Sequence, residues 1–517
     1  MKLGIVSDTN PNARDGAQIY GATFAENTWL EALLRYWDDT LIILTSDQND
    51  QAIRAYIHQV SITKQVQCNV TVRHISELPL LDGDLDVLYD PNGMRVKALS
   101  EVRRTFTKQF QLVCAYHTLS YNHLRPLWSD WCSTDWRDGD AILGSSSTSI
   151  HALQHLLSDN AGNVFNHPQV YHCPLAVNLN NFNLVERLRA RKLLGLPTAT
   201  GIVTFLGRLS PYDKTDLTVP MIGLKKLLMD RDVLLLVVGD DYYKYSSAIR
   251  RTASQLGLDD KVLIIPNAGM WDRSLFYSAS DVVLCLSDSV QESFGLTPLE
   301  AMASGCVVVT SEWDGYKETV IPEQTGLFVP TYTIQSEKYG PWANLVPWQI
   351  HHLQMAQQVA IDLEQLSLAV ERGLYDEELR RKCLGHGPKH VMQHYTQEAW
   401  VHRFRTIISK EAIPVSWPSN CQFKDPFHGY PSRIIQPDNR LTSQSYAGNI
   451  LNIVYQGIPN LTRILQYKDI LSALEEVSLV QSISWEDCVF SLKMKQIKNP
   501  QSALLFLLKH GFISLQE

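Results

Sequence analysis

Four charged side chains stand where short apolar runs end. Arg208 follows GIVTFLG, Lys214 comes six residues later within RLSPYDKTD, Glu292 follows DVVLCLSDS, and Glu300 lies eight residues beyond Glu292. An Arg and a Lys on one loop suit a diphosphate, the first as a planar fork and the second as a point charge. On an ordinary surface turn the same two residues would simply be solvated. Between the glutamates, QESFGLTPLEAMASG carries Gly295 and Pro298, both poor in a helix interior. Thr297 is a good N-cap and Pro298 is welcome as a first helical residue, so a helix is expected to begin at 297 and to leave Glu292 in the preceding loop. The amides of Gly295, Leu296 and Thr297 then lead into a helix N-terminus, which is an anion site, and Gly295 lets a ligand approach the backbone. A carboxylate accepts from two neighbouring hydroxyls, which places Glu292 and Glu300 for a sugar or a ribose. Glu300 has a second reading as the far half of a Thr297–Glu300 capping box.

Such residues need strand ends to bring them together. From residue 2 the chain alternates short apolar runs with longer amphipathic ones, the pattern of β-α-β units. KLGIVS, LIILT, DVLYD, QLVCAY, AILGS and QVYHCPL form a first strand series, with helical periodicity in GAQIYGATFAENTWLEALLRYW. GIVTFLG, VLLLVVGD, KVLIIPN, DVVLCLS and CVVVTS form a second, and the polar stretch from 178 to 198 separates the two. The expected fold class is α/β: two doubly wound, Rossmann-like domains facing each other across a cleft lined by strand C-termini. The expected boundaries are 1–180 and 195–387, with KHVMQHYTQEAWVHRFRTII as one terminal helix (388–412) crossing back to the first domain. Residues 413–517 begin as a Pro- and aromatic-rich linker and end in a small, mainly helical, winged-helix-like appendix, expected to pack, bind a partner or mediate oligomerisation.

The 517 residues are 45% hydrophobic and 19% charged, with a net charge of -8, which offers no electrostatic footprint for nucleic acid. Nine scattered cysteines without a C-x-x-C pair favour reduced thiols and a cytoplasmic setting. No stretch reaches the length of a membrane span, and MKLGIVSDTN is too short in apolar residues for a signal peptide; peripheral membrane contact stays open.

The region from about 201 to 330 resembles the family 4 retaining glycosyltransferases of the GT-B fold. The resemblance rests on LGRLSPYDK, LLLVVGD and above all ESFGLTPLEAMASGCVVVTS, which contains the E-x7-E motif, and continues through ETVIPEQTGLFVP. It implies a hexosyl transfer with retention from a nucleotide-diphospho-sugar, a UDP-sugar first, to an unidentified hydroxyl acceptor, with no metal and no further cofactor. Arg208 and Lys214 would bind the diphosphate and Glu292 would face the transferred sugar. The amides of Gly295, Leu296 and Thr297 would hold the distal phosphate beside Ser293 and Phe294, and Glu300 would bind the ribose. Base contacts are expected from backbone near Asn267 and Ala268. In the N-terminal half, His117 at the end of QLVCAYHT matches the family's histidine that faces the donor sugar. Gly16 in RDGAQIYG stands where the family has a Gly-Gly pair, with Ala17 as the departure and Asp15 beside it on the acceptor side. A nucleotide-sugar epimerase of the same fold and a non-catalytic scaffold are the alternatives.

Other signals are read as structural. Asp84-x-Asp86 enters a strand where a metal-binding pair would end one. His386, His390 and His394 are interrupted by Gly387-Pro388 and are too few for zinc. Trp128, Trp131 and Trp136, on an expected long loop, are read as core, with an acceptor-stacking surface as second choice. Tyr332, Tyr339, Trp342 and Trp348 are read as packing or an oligomer contact.

Overall fold

The computed structural model describes residues 1–7, 21–63, 66, 68–121, 124–161, 168–179, 184–268, 273–290, 292–334, 345–417, 426–444 and 449–516. The chain divides into two compact units, Met1–Leu179 with Val391–Gln422 and Asn180–His390 with Phe423–Glu517.

In the first unit, β1 (Leu3–Val6), β2 (Thr40–Thr45), β3 (Asn69–His74), β4 (Val87–Asp90), β5 (Gln111–Ala115), β6 (Ala141–Gly144) and β7 (Gln169–His172) form one sheet in the order 3-2-1-4-5-6-7. Every pairing in it is parallel. The central strands are buried on both faces, which is why they read as unbroken apolar runs. β3 had no such run: it is a half-exposed edge strand, and NVTVRH escapes a search for continuous hydrophobicity. Helix Gln397–Ile408 completes this unit. Its Trp400 stacks on Trp29 (centroids 5.7 Å apart) and on Phe404 (5.2 Å), within a core that includes Trp37 and Tyr89. The expected single helix from 388 is two elements: helix Glu377–His394 runs through Gly387-Pro388, and Thr396 caps the next helix by accepting from the Ala399 amide at 3.2 Å.

Asp90 ends β4 with no exposed surface, its Oδ2 accepting the Arg95 amide at 2.8 Å. Burial pushes its carboxyl up to about 6, against the opposing pull of backbone N–H groups. A folded-state value raised above the unfolded one means stability that is complete below about pH 4 and is lost as pH rises through 6. Asp90→Asn keeps an acceptor for Arg95 and removes the charge. It is expected to stabilise the protein by on the order of 2 kcal/mol at pH 7.5, with the gain vanishing toward pH 4; urea midpoints at the two pH values measure this, and a gain equal at both would refute the assignment.

The second unit holds β8 (Gly201–Leu206), β9 (Val233–Gly239), β10 (Val262–Pro266), β11 (Val282–Cys285), β12 (Val307–Ser311) and β13 (Gly326–Val329), all parallel in the order 10-9-8-11-12-13. Strand order reverses between β8 and β11, and ligands bind at such a switch point in open α/β sheets. The C-terminal region is mainly helical, with helices Ile450–Gly457, Tyr467–Ser478, Trp485–Met494 and Pro500–Lys509. A three-stranded antiparallel sheet (Arg440–Ser443 between Ile483–Ser484 and Ile513–Gln516) accompanies them. The buried apolar residues of this C-terminal region, Leu504 to Leu508 among them, belong to the same core as Val203, Leu235 and Val309.

Among the described residues no helix is long and apolar enough to cross a membrane, and every cysteine is free. Trp128, Trp131 and Trp136 are buried, the first two on helix Arg125–Cys132 where a loop was expected, and the Trp131 indole N–H donates to the Gly93 carbonyl at 2.9 Å. They are core, not an acceptor surface. Asp84 and Asp86 pair with Lys2 and Lys108 at the surface. Tyr339 and Trp342 lie outside the described residues; Trp348 opens helix Trp348–Ala356 and packs on Tyr243 and His352.

Candidate functional site

β8 and β11 are neighbours, and the loops leaving their C-terminal ends bring Arg208, Lys214 and Glu292 into one place. Lys214 Nζ donates to Glu292 Oε2 at 2.5 Å, and the Tyr316 hydroxyl donates to the same oxygen at 3.2 Å. Lys214 and Glu292 are 18% and 13% exposed, so the pair is sheltered yet open to a ligand. Arg208 Nη1 lies 2.9 Å from Asp213 Oδ2, and Asp213 Oδ1 accepts from the Ser210 hydroxyl at 2.6 Å. Asp213 thus fixes the guanidinium by charge and geometry.

Immediately after Glu292 comes helix Leu296–Ala303, with Gly295 at its N-cap (φ 81°) and no side chain capping it. The expected start at 297, with Thr297 as cap, is corrected by two residues. Gly295 takes the cap because its positive φ turns the chain there, and Pro298 still falls in the first turn, where a missing N–H costs no helical bond. The amides of Leu296 and Thr297 lie at the positive end of this helix, and no side chain caps them. Two glycines set the local packing. A Cβ on Gly295 would lie 2.0 Å from the Tyr316 ring, and one on Gly315 would lie 2.5 Å from Phe294 Cα. The loop after β12 therefore packs directly against the 293–296 loop, with Ser293 and Phe294 buried beside it.

No capping box forms; Glu300 is fully buried in the helix, where Oε2 accepts from the Tyr277 hydroxyl at 2.6 Å and pairs with Arg273. Both partners come from helix Arg273–Ala279. Oε1 is buried with no hydrogen-bond partner among the described residues. Asn267 is exposed after β10 in a left-handed conformation (φ 56°), its Oδ1 accepting from the Asp241 amide at 2.9 Å.

His117 belongs to the other unit, after β5. Its ring stacks on Trp29 (5.2 Å between centroids) and its Nε2 lies 3.4 Å from Glu26 Oε1. Gly16 and Asp15 lie outside the described residues. Sequence reasoning missed Tyr316, Asp213, Arg273, Tyr277 and Glu26. For Tyr316, Asp213 and Arg273 a signal existed, since each follows a strand as Arg208 and Glu292 do; Tyr277 and Glu26, within helices, carry none. Cys285 and Cys306, close by in sequence, are buried, which pushes the Cys306 thiol up to about 12 and leaves neither as a nucleophile. Among the described residues no group of three or more His, Cys, Asp or Glu could hold a metal ion.

Residues 186–338 match the family model described as Glycosyl transferases group 1, a span that contains Arg208, Lys214, Glu292 and Glu300. The D-inositol 3-phosphate glycosyltransferase of Saccharomonospora viridis is 33% identical over 162 residues, 30% of this chain and 37% of that protein. The protein of the same name from Mycobacteroides abscessus is 31% identical over 173 residues, 33% of this chain and 36% of its own. The matches thus span little more than a third of these relatives. Sucrose-phosphate synthase of Thermosynechococcus elongatus superposes with a TM-score of 0.53 at 19% identity over 79% of this chain and 98% of its own. Anabaena HepE in complex with UDP superposes with a TM-score of 0.55 at 15% identity over 79% of this chain and all (100%) of its own. These likenesses show the fold, two Rossmann-like domains of the GT-B class.

Proposed function

We propose that this chain is a glycosyltransferase that moves a hexose-type sugar from a nucleotide-diphospho-sugar to an acceptor hydroxyl, with retention and without a metal. One observation carries the reading: on the loops leaving β8 and β11, at the switch point, an ammonium paired with the Glu292 carboxylate, a guanidinium fixed by Asp213 and an uncapped helix N-terminus occur together. Positive charge of that kind stabilises a departing diphosphate. Arg208, Lys214 and the amides of Gly295, Leu296 and Thr297 take the phosphates, and Glu292 takes the hydroxyls of the transferred sugar.

Glu300 is assigned to the ribose through Oε1, the carboxylate oxygen that Arg273 and Tyr277 leave unused. The base is assigned to the backbone near Asn267. Contributions of His117 and Gly16 rest on the family resemblance, and His117→Ala in the assay below tests the first. UDP is the favoured nucleotide, and the UDP complex of HepE is consistent with it. The inositol phosphate in the relatives' name is not carried over, because those matches cover about a third of this chain. Free cysteines fit a cytoplasmic enzyme.

The test is nucleotide release from UDP-, GDP- and ADP-sugars in EDTA, with a panel of hydroxyl acceptors, comparing the wild type with Arg208→Ala. One donor should be turned over, and Arg208→Ala should reduce the rate by about 10²-fold or more. No release from any donor, together with no binding of UDP in a titration, would overturn the reading. The anomeric configuration of the product, followed by NMR, tests retention separately.

A further inference from the structure

The second unit contains a charge cluster that the proposed chemistry does not use. Asp216, Asp288, Lys509 and His510 are each 0% exposed. Lys509 Nζ donates to Asp288 Oδ2 at 2.6 Å and to the Ala356 carbonyl at 2.7 Å. His510 Nε2 lies 3.1 Å from Asp216 Oδ2, and its Nδ1 lies 2.8 Å from the Phe506 carbonyl. Both of these partners offer an acceptor oxygen to the ring. Asp216 also accepts from the Gln357 amide at 3.1 Å and from the Thr218 hydroxyl at 2.6 Å.

The place of the two carboxylates in the chain is what gives the cluster meaning. Asp216 is two residues after Lys214, and Asp288 is four residues before Glu292. The Asp216 amide donates to Asp288 Oδ2 at 3.3 Å. The two loops are therefore joined twice, once by the Lys214–Glu292 pair and once by this buried bond.

Two buried carboxylates so close would repel each other without cations between them. Burial raises the Asp288 carboxyl against the pull of Lys509. Burial works the same way on Asp216, but there the hydrogen bond and charge of His510, with Lys509, outweigh it and hold the group far below the carboxylate range. Both compensating side chains come from the end of helix Pro500–Lys509, the pole of a helix that favours cations. Ala503 to Leu508 of that helix are all buried and apolar, which holds its end against the cluster. A hydrophobic contact would serve stability as well as a buried ion pair; what the pair adds is a fixed register between the elements it joins.

We propose that Lys509 and His510 are positioning residues for the donor site: through Asp288 and Asp216, the last helix sets the spacing between the loop carrying Lys214 and the loop carrying Glu292. The proposal rests on the donor-site reading above, and its test separates the two. In the full chain, hydrogen–deuterium exchange of peptides covering 207–217 and 286–297 is measured without ligand, alongside UDP titration and thermal unfolding. The variants are Lys509→Met and the milder Asp288→Asn, which keeps an acceptor for both Lys509 and the Asp216 amide. Leu492→Ala, in the buried face of helix Trp485–Met494, is the control for general loosening of the C-terminal region.

Lys509→Met should speed exchange in both segments and weaken UDP binding by at least about tenfold, and Asp288→Asn should do so to a smaller degree. Leu492→Ala should lower the unfolding temperature and leave both readouts in place. Wild-type exchange and affinity in a folded Lys509→Met or Asp288→Asn would overturn the proposal. So would a Leu492→Ala control that moves the two segments equally. If the wild type binds no UDP, the exchange data still decide the positioning role, and only the donor reading falls.

Discussion

Glu292→Gln is expected to cost roughly 10²–10³-fold in turnover while UDP binding stays level or tightens. The two halves of that expectation have separate causes. Without ligand, the Glu292 carboxylate holds Lys214 at 2.5 Å, so an incoming diphosphate must compete for the same ammonium. Glutamine keeps the shape and an acceptor for the Tyr316 hydroxyl, but gives up the charge that retains Lys214. Diphosphate binding should therefore gain slightly. The rate should fall because a fixed negative charge no longer faces the sugar as positive charge develops on it. Steady-state kinetics distinguish the roles: loss in kcat with KM unchanged places the interaction in the transition state, whereas a raised KM with intact kcat makes Glu292 a ground-state hydroxyl binder. Unchanged turnover would remove it from the mechanism.

Gly295→Ala is the second large effect, and its origin is steric. The residue has φ 81°, and the added methyl would lie 2.0 Å from a ring carbon of Tyr316. Tyr316 is buried and tied to Glu292 through its hydroxyl, so the ring has little room to yield. Positive φ costs about 1–2 kcal/mol for an L-residue, and overpacking of this kind about 1–3 kcal/mol. A loss of about 2–5 kcal/mol in urea unfolding is expected, with UDP binding weakened because the amides of Leu296 and Thr297 follow the displaced cap. The Gly295→Ala/Tyr316→Ala double variant should recover the overpacking share and leave the backbone share, giving a coupling of about 1–3 kcal/mol. A wild-type midpoint for the single variant would show that the loop deforms freely.

The parts of this arrangement that a reader of the sequence can find are those carried by local pattern. Strands β8, β9, β11 and β12 are mainly apolar runs because both faces are covered, broken only by Thr204 in β8 and by Thr310 and Ser311 at the end of β12, and Arg208 and Glu292 stand out because charged residues follow those runs. The helix after Glu292 is legible, but its first residue is not. Thr297-Pro298 is a good cap by composition, and only the backbone conformation of Gly295 moves the start to Leu296.

Glu300 shows a different limit. Its role in the fold is decided by Arg273 and Tyr277, about one helix earlier in the chain, and a capping pattern in its own helix says nothing of them. Lys509 and His510 mark the far end of that scale. In LLKHGF they read as the polar end of an apolar helix, and their partners lie 221 and 294 residues away. Periodicity reports which face is buried; it carries no information about which distant carboxylate waits there.

Helix Gln397–Ile408 has a consequence for how the chain is made. The first unit needs residues from 391 onward, so the strands up to Leu179 leave the ribosome without the helix that closes their core. At about 5–20 residues per second, synthesis of the 211 residues between 179 and 391 takes roughly 10–40 s. During that interval Trp29, Trp37 and Tyr89 lack the aromatic side chains of Trp400 and Phe404 that cover them in the finished protein. The nascent N-terminal half is thus a client for whatever shields apolar surface during translation, and a premature stop before residue 397 would release it in that uncovered state.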